Sequence, residues 1–250
     1  MSVAVSTSTI QAFQPAFRRP SNPSTHEKTG AAALISKLHL LKHCEGGYYS
    51  ETDRDERRVA NPFHPSYSQS LVTSPSTSQH TFSDATFTGQ SCLGIEPWAE
   101  LTRSASTSIY YLLTENWSRS CFVRNRGRTV HTLHKGRARY VVIHADEAMI
   151  KDKVGEGEEI IRGKARVETF IVGQNIVKGE KLQWVIAGDK YKASFLLPDE
   201  EGGGFSEEGC LITETVIPGF EFTEWDSLQP QRLYELVTPE QADQLAWLLA

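Results

Sequence analysis

CFVRNRGRTVHTLHKGRARYVVI, residues 121–143, is the stretch whose reading decides the fold. Val130, Leu133, Tyr140, Val142 and Ile143 are β-formers bounded by glycine and charge. That pattern predicts two strands joined as a hairpin at Lys135-Gly136, with a tighter bend at Arg126-Gly127. His131 and His134 lie on the first arm. Successive side chains of a strand face opposite sides, so two histidines three apart face opposite ways. By this parity His131 points inward with Thr129 and Leu133, and His134 points outward.

The same signals continue outward in both directions. Thr107–Leu113, TSIYYLL, predicts a buried strand. Ala165–Val172, Leu182–Ile186, Tyr191–Leu197 and Leu211–Ile217 predict further strands, divided by turns at Val177–Glu180, Ala187–Asp189 and Pro218-Gly219. Asp146–Arg166 is polar and reads as a surface loop. Asp199–Gly209 reads as an acidic, glycine-rich one. Short strands with frequent turns imply an all-β, antiparallel sandwich or barrel. Leu34, Ile35, Leu38 and Leu41 mark a short N-terminal helix over Ala31–Leu41. Thr238-Pro239-Glu240-Gln241 is a capping box with proline at the first helical position, opening a C-terminal helix over Pro239–Leu249. Residues 1–30 are rich in Ser, Thr and Pro and are expected to be a disordered tail. Residues 31–250 then form one domain, with a long insertion loop at about 53–101.

The totals narrow the function. The formal net charge is −5 over 250 residues, which argues against a nucleic-acid partner despite the Arg124, Arg126, Arg128, Lys135, Arg137, Arg139 cluster. Cys44, Cys92, Cys121 and Cys210 show no CxxC spacing, so neither a zinc site nor a disulfide scaffold is expected. A reducing, cytoplasmic setting fits. The first 26 residues hold no Asp or Glu and carry Arg18-Arg19, which leaves an organellar transit peptide as the alternative. No apolar run approaches the roughly 20 residues of a membrane span.

Three stretches carry a family resemblance: LISKLHLLKHCEGGYYSET (34–52), the block Thr107–Ile143, and GEKLQWVIAGDKYKASFLLPDEE (179–201) running on to ITETVIPGFEF (212–222). EGGYY, RTVHTLHKG and VIPGFEF are its most specific pieces. Together they resemble the cupin superfamily, in the fungal-type branch of a family catalogued as a domain of unknown function. The resemblance implies a double-stranded β-helix, the jelly-roll cupin barrel, paired as a homodimer, and it implies no activity. Metal-binding cupins hold their ion with three histidines and a glutamate in two motifs. Laid on this chain, the four ligand positions fall on Val123, Asn125, Thr129 and Tyr191. None is a strong donor, so no metal and no cofactor is expected.

What remains is a cavity for a small organic ligand or substrate. Val123, Asn125, Thr129 and Leu133 are expected to line it. Tyr191 and Phe195 share a parity on a later strand and are expected there too, which turns Lys192 to solvent. Either Tyr110 or Tyr111, and either Gln183 or Trp184, adds a polar-tipped wall. Tyr49 and Glu51 are placed at one end. His131 is the candidate general acid–base, because an imidazole titrates near neutral pH. Tyr191, Tyr110 or Glu51 would supply the opposite proton, and Asn125 would hold an oxyanion. The function expected is a metal-independent isomerase, epimerase, dehydratase or cyclase. A non-catalytic binding protein is the alternative, and a metal-dependent oxygenase or oxidase with unusual ligands is the third reading.

Overall fold

The computed structural model describes residues 14–15, 26–64, 101–154, 157–162, 164–200, 203, 206–222 and 225–250. Helix α1 (Thr29–Lys37) precedes strands β1 (Leu41–Lys42), β2 (Tyr48–Arg54), β3 (Arg58–Ala60), β4 (Thr102–Ser104) and β5 (Thr107–Leu113). Then come β6 (Val123–Arg124), β7 (Arg128–Lys135), β8 (Ala138–Ile143), β9 (Met149–Val154), β10 (Gly157–Arg162) and β11 (Val167–Val172). Strands β12 (Gln183–Ile186), β13 (Tyr191–Leu196), β14 (Cys210–Ile217) and β15 (Asp226–Ser227) follow, then helices α2 (Pro230–Leu236) and α3 (Pro239–Leu245).

Two sheets face each other. The first has the order β1-β2-β5-β14-β7-β12 and the second β11-β8-β13-β6-β15. This is the antiparallel sandwich expected from the strand spacing, in the jelly-roll form that the cupin resemblance implies. One core fills the space between the sheets, around Tyr111, Leu133, Tyr140, Trp184, Leu196 and Ile212. A second core lies on the outer face of the second sheet, where Val141, Ile143, Ala193 and Phe195 meet Leu233, Leu236 and Leu245 of α2 and α3. A third joins Leu34, Ile35 and Leu38 of the N-terminal segment to Tyr48, Tyr110 and Leu112.

The hairpin expected at Lys135-Gly136 is not one. β7 pairs with β14 and β12, whereas β8 pairs with β11 and β13. The chain passes from one sheet to the other at Gly136. That residue has φ +75°, and a Cβ there would run into the Gly209 backbone. Two β-segments around a glycine look alike in sequence whether they pair or cross.

Other boundaries also move. Leu41 and Lys42 belong to a strand, not the helix, because the chain turns at His39 with φ 52°. Residues expected as a polar loop after Asp146 instead contain the β9–β10 hairpin. Part of the expected insertion is also strand, since β3 pairs with β4; residues 65–100 lie outside the described residues. Within the segment expected as a tail, the described residues Glu27 and Lys28 are docked: Tyr48 Oη donates to Glu27 Oε1 at 2.8 Å and Lys28 pairs with Glu115 at 2.9 Å. At the other end the capping box forms as read, with Thr238 and Gln241 bonded reciprocally. The helix it opens stops at Leu245 and finishes in a 3-10 turn, and α2 precedes it. No helix among the described residues is long and apolar enough to cross a membrane.

Candidate functional site

The inward face of the first sheet is built in cross-strand rows. In register, Trp184 pairs with His131, His131 with Glu214, Glu214 with Ile109, and Ile109 with Glu51. Directly paired residues share a face. One row therefore carries an imidazole between an indole and a carboxylate. The neighbouring rows place Thr129 beside Val216, and Ile212 between Leu133 and Tyr111. His131, Thr129 and Leu133 thus face inward and His134 outward, as strand parity requires; His134 meets Tyr110 and Thr213 on the outer face.

The second sheet supplies the cation. β13 pairs Lys192 with Val142 and Ser194 with Tyr140, both interior residues, so Lys192 is directed inward. It is 7% exposed, against the expectation that it faces solvent. Tyr191 and Phe195 have the opposite parity and lie in the core under the C-terminal helices, not in the cavity. Tyr191 Oη donates to Asp226 at 2.6 Å, and the Arg124 guanidinium sits over its ring. Tyr191, one of the four positions on which the metal motifs were laid, thus faces away from the cavity.

Lys192 Nζ donates to Glu214 Oε2 at 2.5 Å and to His131 Nε2 at 3.0 Å. A buried ammonium needs such partners, since an unpaired charge removed from water costs several kcal/mol or more. His131 is wholly buried, stacked on Trp184 at 5.0 Å and edge-on to Tyr140. Burial, then the adjacent ammonium, push its pKa down to about 3. The ring is neutral at neutral pH, with Nε2 free to accept from Lys192 and the hydrogen on Nδ1. Among the described residues Nδ1 makes no hydrogen bond of good geometry. Burial raises the Glu214 carboxyl, but the Lys192 ammonium and His131 outweigh it and hold Glu214 below the usual range.

Facing this cluster is Glu45, on the turn after β1. The turn is pinned: Cys121 N donates to Glu45 O at 2.8 Å, and Tyr111 Oη to Gly46 O at 2.7 Å. Gly46 and Gly47 both have positive φ, and a Cβ on Gly46 would strike the Arg119 carbonyl. Trp225 Nε1 donates to Glu45 Oε1 at 2.7 Å. Burial raises the Glu45 carboxyl strongly, the Lys192 ammonium and the Trp225 bond oppose it, and the balance leaves it at about 7. His43, whose Nδ1 accepts from Glu45 N at 3.1 Å, is held low by burial.

Glu45, Lys192, Glu214 and Tyr111 bound a cavity of about 70 Å³ and a deeper recess of about 10 Å³. That is room for about five waters, or for the reacting end of a small molecule. Asn125, Tyr49 and Glu51 line the cavity toward its mouth, with Phe220 and Phe222, and Val123 lines the recess. Glu51 is tied to Arg54 at 2.8 Å. Tyr110 lies on the outer face against the N-terminal helix, so Tyr111 is the inward tyrosine. Trp184 is buried inside and Gln183 is exposed outside.

Sequence reasoning missed Glu45, Lys192, Glu214, His43 and Trp225. Two of them left a signal. Glu214 interrupts LITETVI and Lys192 interrupts YKASFLL, each the one charge in its strand. Opposite charges on two such strands point to an internal ion pair. Glu45 sits in a turn, where no periodicity marks its direction.

The family model described as Cupin superfamily (DUF985) matches residues 32–228. The chain belongs to that family. It is 33% identical to the uncharacterized protein YML079W of Saccharomyces cerevisiae over 99% of this chain and 100% of the yeast protein. Among solved structures, a hypothetical protein from Leishmania major superposes with TM-score 0.59 at 22% identity, covering 89% of this chain and 99% of that one. Protein SO0799 from Shewanella oneidensis gives TM-score 0.54 at 18% identity, covering 89% and 98%. These likenesses show the cupin fold.

Cupins that bind a metal need several imidazole and carboxylate donors converging on one point. In this cupin the Lys192 ammonium stands between His131 and Glu214, and an ammonium only donates. Among the described residues no three His, Cys, Asp or Glu side chains converge as a metal set. The donor set does not suit a divalent ion.

Proposed function

We propose that this cupin is a metal-independent proton-transfer enzyme, of the isomerase, epimerase or dehydratase kind, acting on a small carbonyl compound. One observation carries the reading. A carboxyl poised at about 7 lines the same small cavity as a fixed ammonium. Catalytic acids and bases work best with a pKa near the operating pH. Ionised Glu45 takes a proton from the carbon next to the carbonyl. The C–H electron pair moves into the new C=C bond, and the carbonyl pair moves onto oxygen. An N–H of Lys192 holds that oxyanion, while Glu214 and His131 fix the ammonium in place. Glu45 then returns its proton to the other face or to another atom, or a β-hydroxyl leaves with it. No redox partner is required.

His131 therefore positions Lys192 in this reading, and the acid–base role expected of it passes to Glu45. A neutral imidazole with pKa about 3 that accepts from an ammonium is a poor base at neutral pH. The alternative, a binding protein without catalysis, draws on the aromatic mouth, where Phe220 and Phe222 meet edge to face at 5.0 Å.

Solvent-deuterium exchange separates the two. The protein should catalyse incorporation of deuterium next to the carbonyl of a bound ketone, read by NMR. Glu45→Gln should lower that rate by about 10²–10⁴-fold with little change in ligand affinity. A ketone that binds without exchange, or exchange unaffected by Glu45→Gln, defeats the catalytic reading.

A further inference from the structure

We propose that this site selects an uncharged carbonyl ligand and rejects carboxylates and phosphates, because the cation that lines it, Lys192, is already neutralised from within. The proposal rests on the proton-transfer reading above and adds the charge of the substrate. Anion sites in proteins present arginine forks or unpaired ammonium groups. Among the described residues no arginine lines the cavity. Lys192 is the cation there, and its charge is balanced by Glu214 at 2.5 Å. Glu51 at the mouth is balanced by Arg54 in the same way. The charge left over is that of Glu45, which is zero or negative.

An entering carboxylate thus meets no net positive charge and sheds its hydration for nothing equivalent. A ketone or aldehyde oxygen needs only one donor. The Lys192 ammonium has three N–H groups, and among the described residues two of them are bonded, to Glu214 and His131. The third suits a carbonyl oxygen in the cavity that Lys192 lines. The rest of the ligand would reach the mouth, where Ile109, Val216, Phe220 and Phe222 present an apolar surface. That surface fits an aromatic or alkyl arm. An ammonium ligand would face Lys192 directly, and while Glu45 holds its proton, below pH 7, no free carboxylate offsets that repulsion, so cations are disfavoured there too.

The test is binding of three shape-matched probes to the full chain by calorimetry at about pH 6, where Glu45 holds its proton: acetophenone, benzoate and benzylammonium. Acetophenone should bind at least tenfold tighter than either ion. Glu214→Gln, which frees the Lys192 charge while keeping a hydrogen-bond acceptor, should raise benzoate affinity and shift the benzoate-to-acetophenone affinity ratio at least tenfold toward benzoate. The proposal is overturned if benzoate or benzylammonium binds the wild-type chain as tightly as acetophenone. It is also overturned if acetophenone fails to bind at millimolar concentration, or if folded Glu214→Gln gains no benzoate affinity. The wild-type ranking decides even if that variant does not fold. The expected ranking without deuterium exchange in bound acetophenone would defeat the catalytic reading alone and leave charge selection standing.

Discussion

Glu214 stands directly opposite His131 in the ladder between β14 and β7, and both accept from the same ammonium. Three residues from two sheets, none adjacent in sequence, are thereby fixed by strand register alone. Lys192 is the tie between the sheets at this level, and its burial is tolerable only with both partners present.

Removing one partner should therefore cost more than removing two. Lys192→Met leaves the Glu214 carboxylate buried without its cation, which costs about 3–5 kcal/mol. Lys192→Met with Glu214→Leu removes both charges and should recover most of that loss. Urea midpoints of the two variants against wild type give the answer. A double variant as unstable as the single one would show that the pair is not coupled.

The Glu45 carboxyl makes stability fall with rising pH. Its folded pKa of about 7 lies above the ordinary carboxylate value. The folded chain therefore holds the proton through the window between them, and stability is lost as pH rises through it. The loss is on the order of 2 kcal/mol above pH 7, allowing for partial solvent access. Glu45→Gln keeps the Trp225 bond and should remove this slope, so the variant should melt higher than wild type at pH 8. Parallel pH slopes in the two proteins would place Glu45 at an ordinary pKa.

His131 acts in the opposite sense. Its folded pKa of about 3 lies below the ordinary histidine value, so the unfolded chain binds the proton first. Stability from this group is complete above about 6.5 and is lost as pH falls toward 3. His131→Gln retains an acceptor for Lys192 but cannot titrate. Its melting temperature should fall less steeply than wild type between pH 6 and 4, while Glu214, also held low, still contributes an acid loss of its own. An unchanged acid slope would mean that His131 is not the group protonated there.

How much of this was legible follows from the physics of each element. Strand alternation alone set His131 inward and His134 outward, and the Thr238–Gln241 box set the start of α3, because both depend on local spacing. The partner of β7 was not legible, since pairing is a long-range choice and Gly136 suits a hairpin and a sheet crossing equally. Lys192 was misplaced because a lone lysine in a strand reads as solvated; its partner, Glu214, lies on another strand 22 residues away. Glu45 acquires its raised pKa from burial, and the Trp225 donor that partly offsets that rise lies 180 residues distant in sequence, so nothing near Glu45 could reveal it.

The most direct measurement is the titration of Glu45 itself. Carbon-13 NMR of side-chain carboxyls, compared between wild type and Glu45→Gln, isolates its signal. The midpoint should lie at about 7, and Trp225→Phe, which removes the donor to Oε1, should move it higher. A Glu45 carboxyl that titrates in the ordinary range near 4.5 would contradict the proton-transfer site proposed for this cavity.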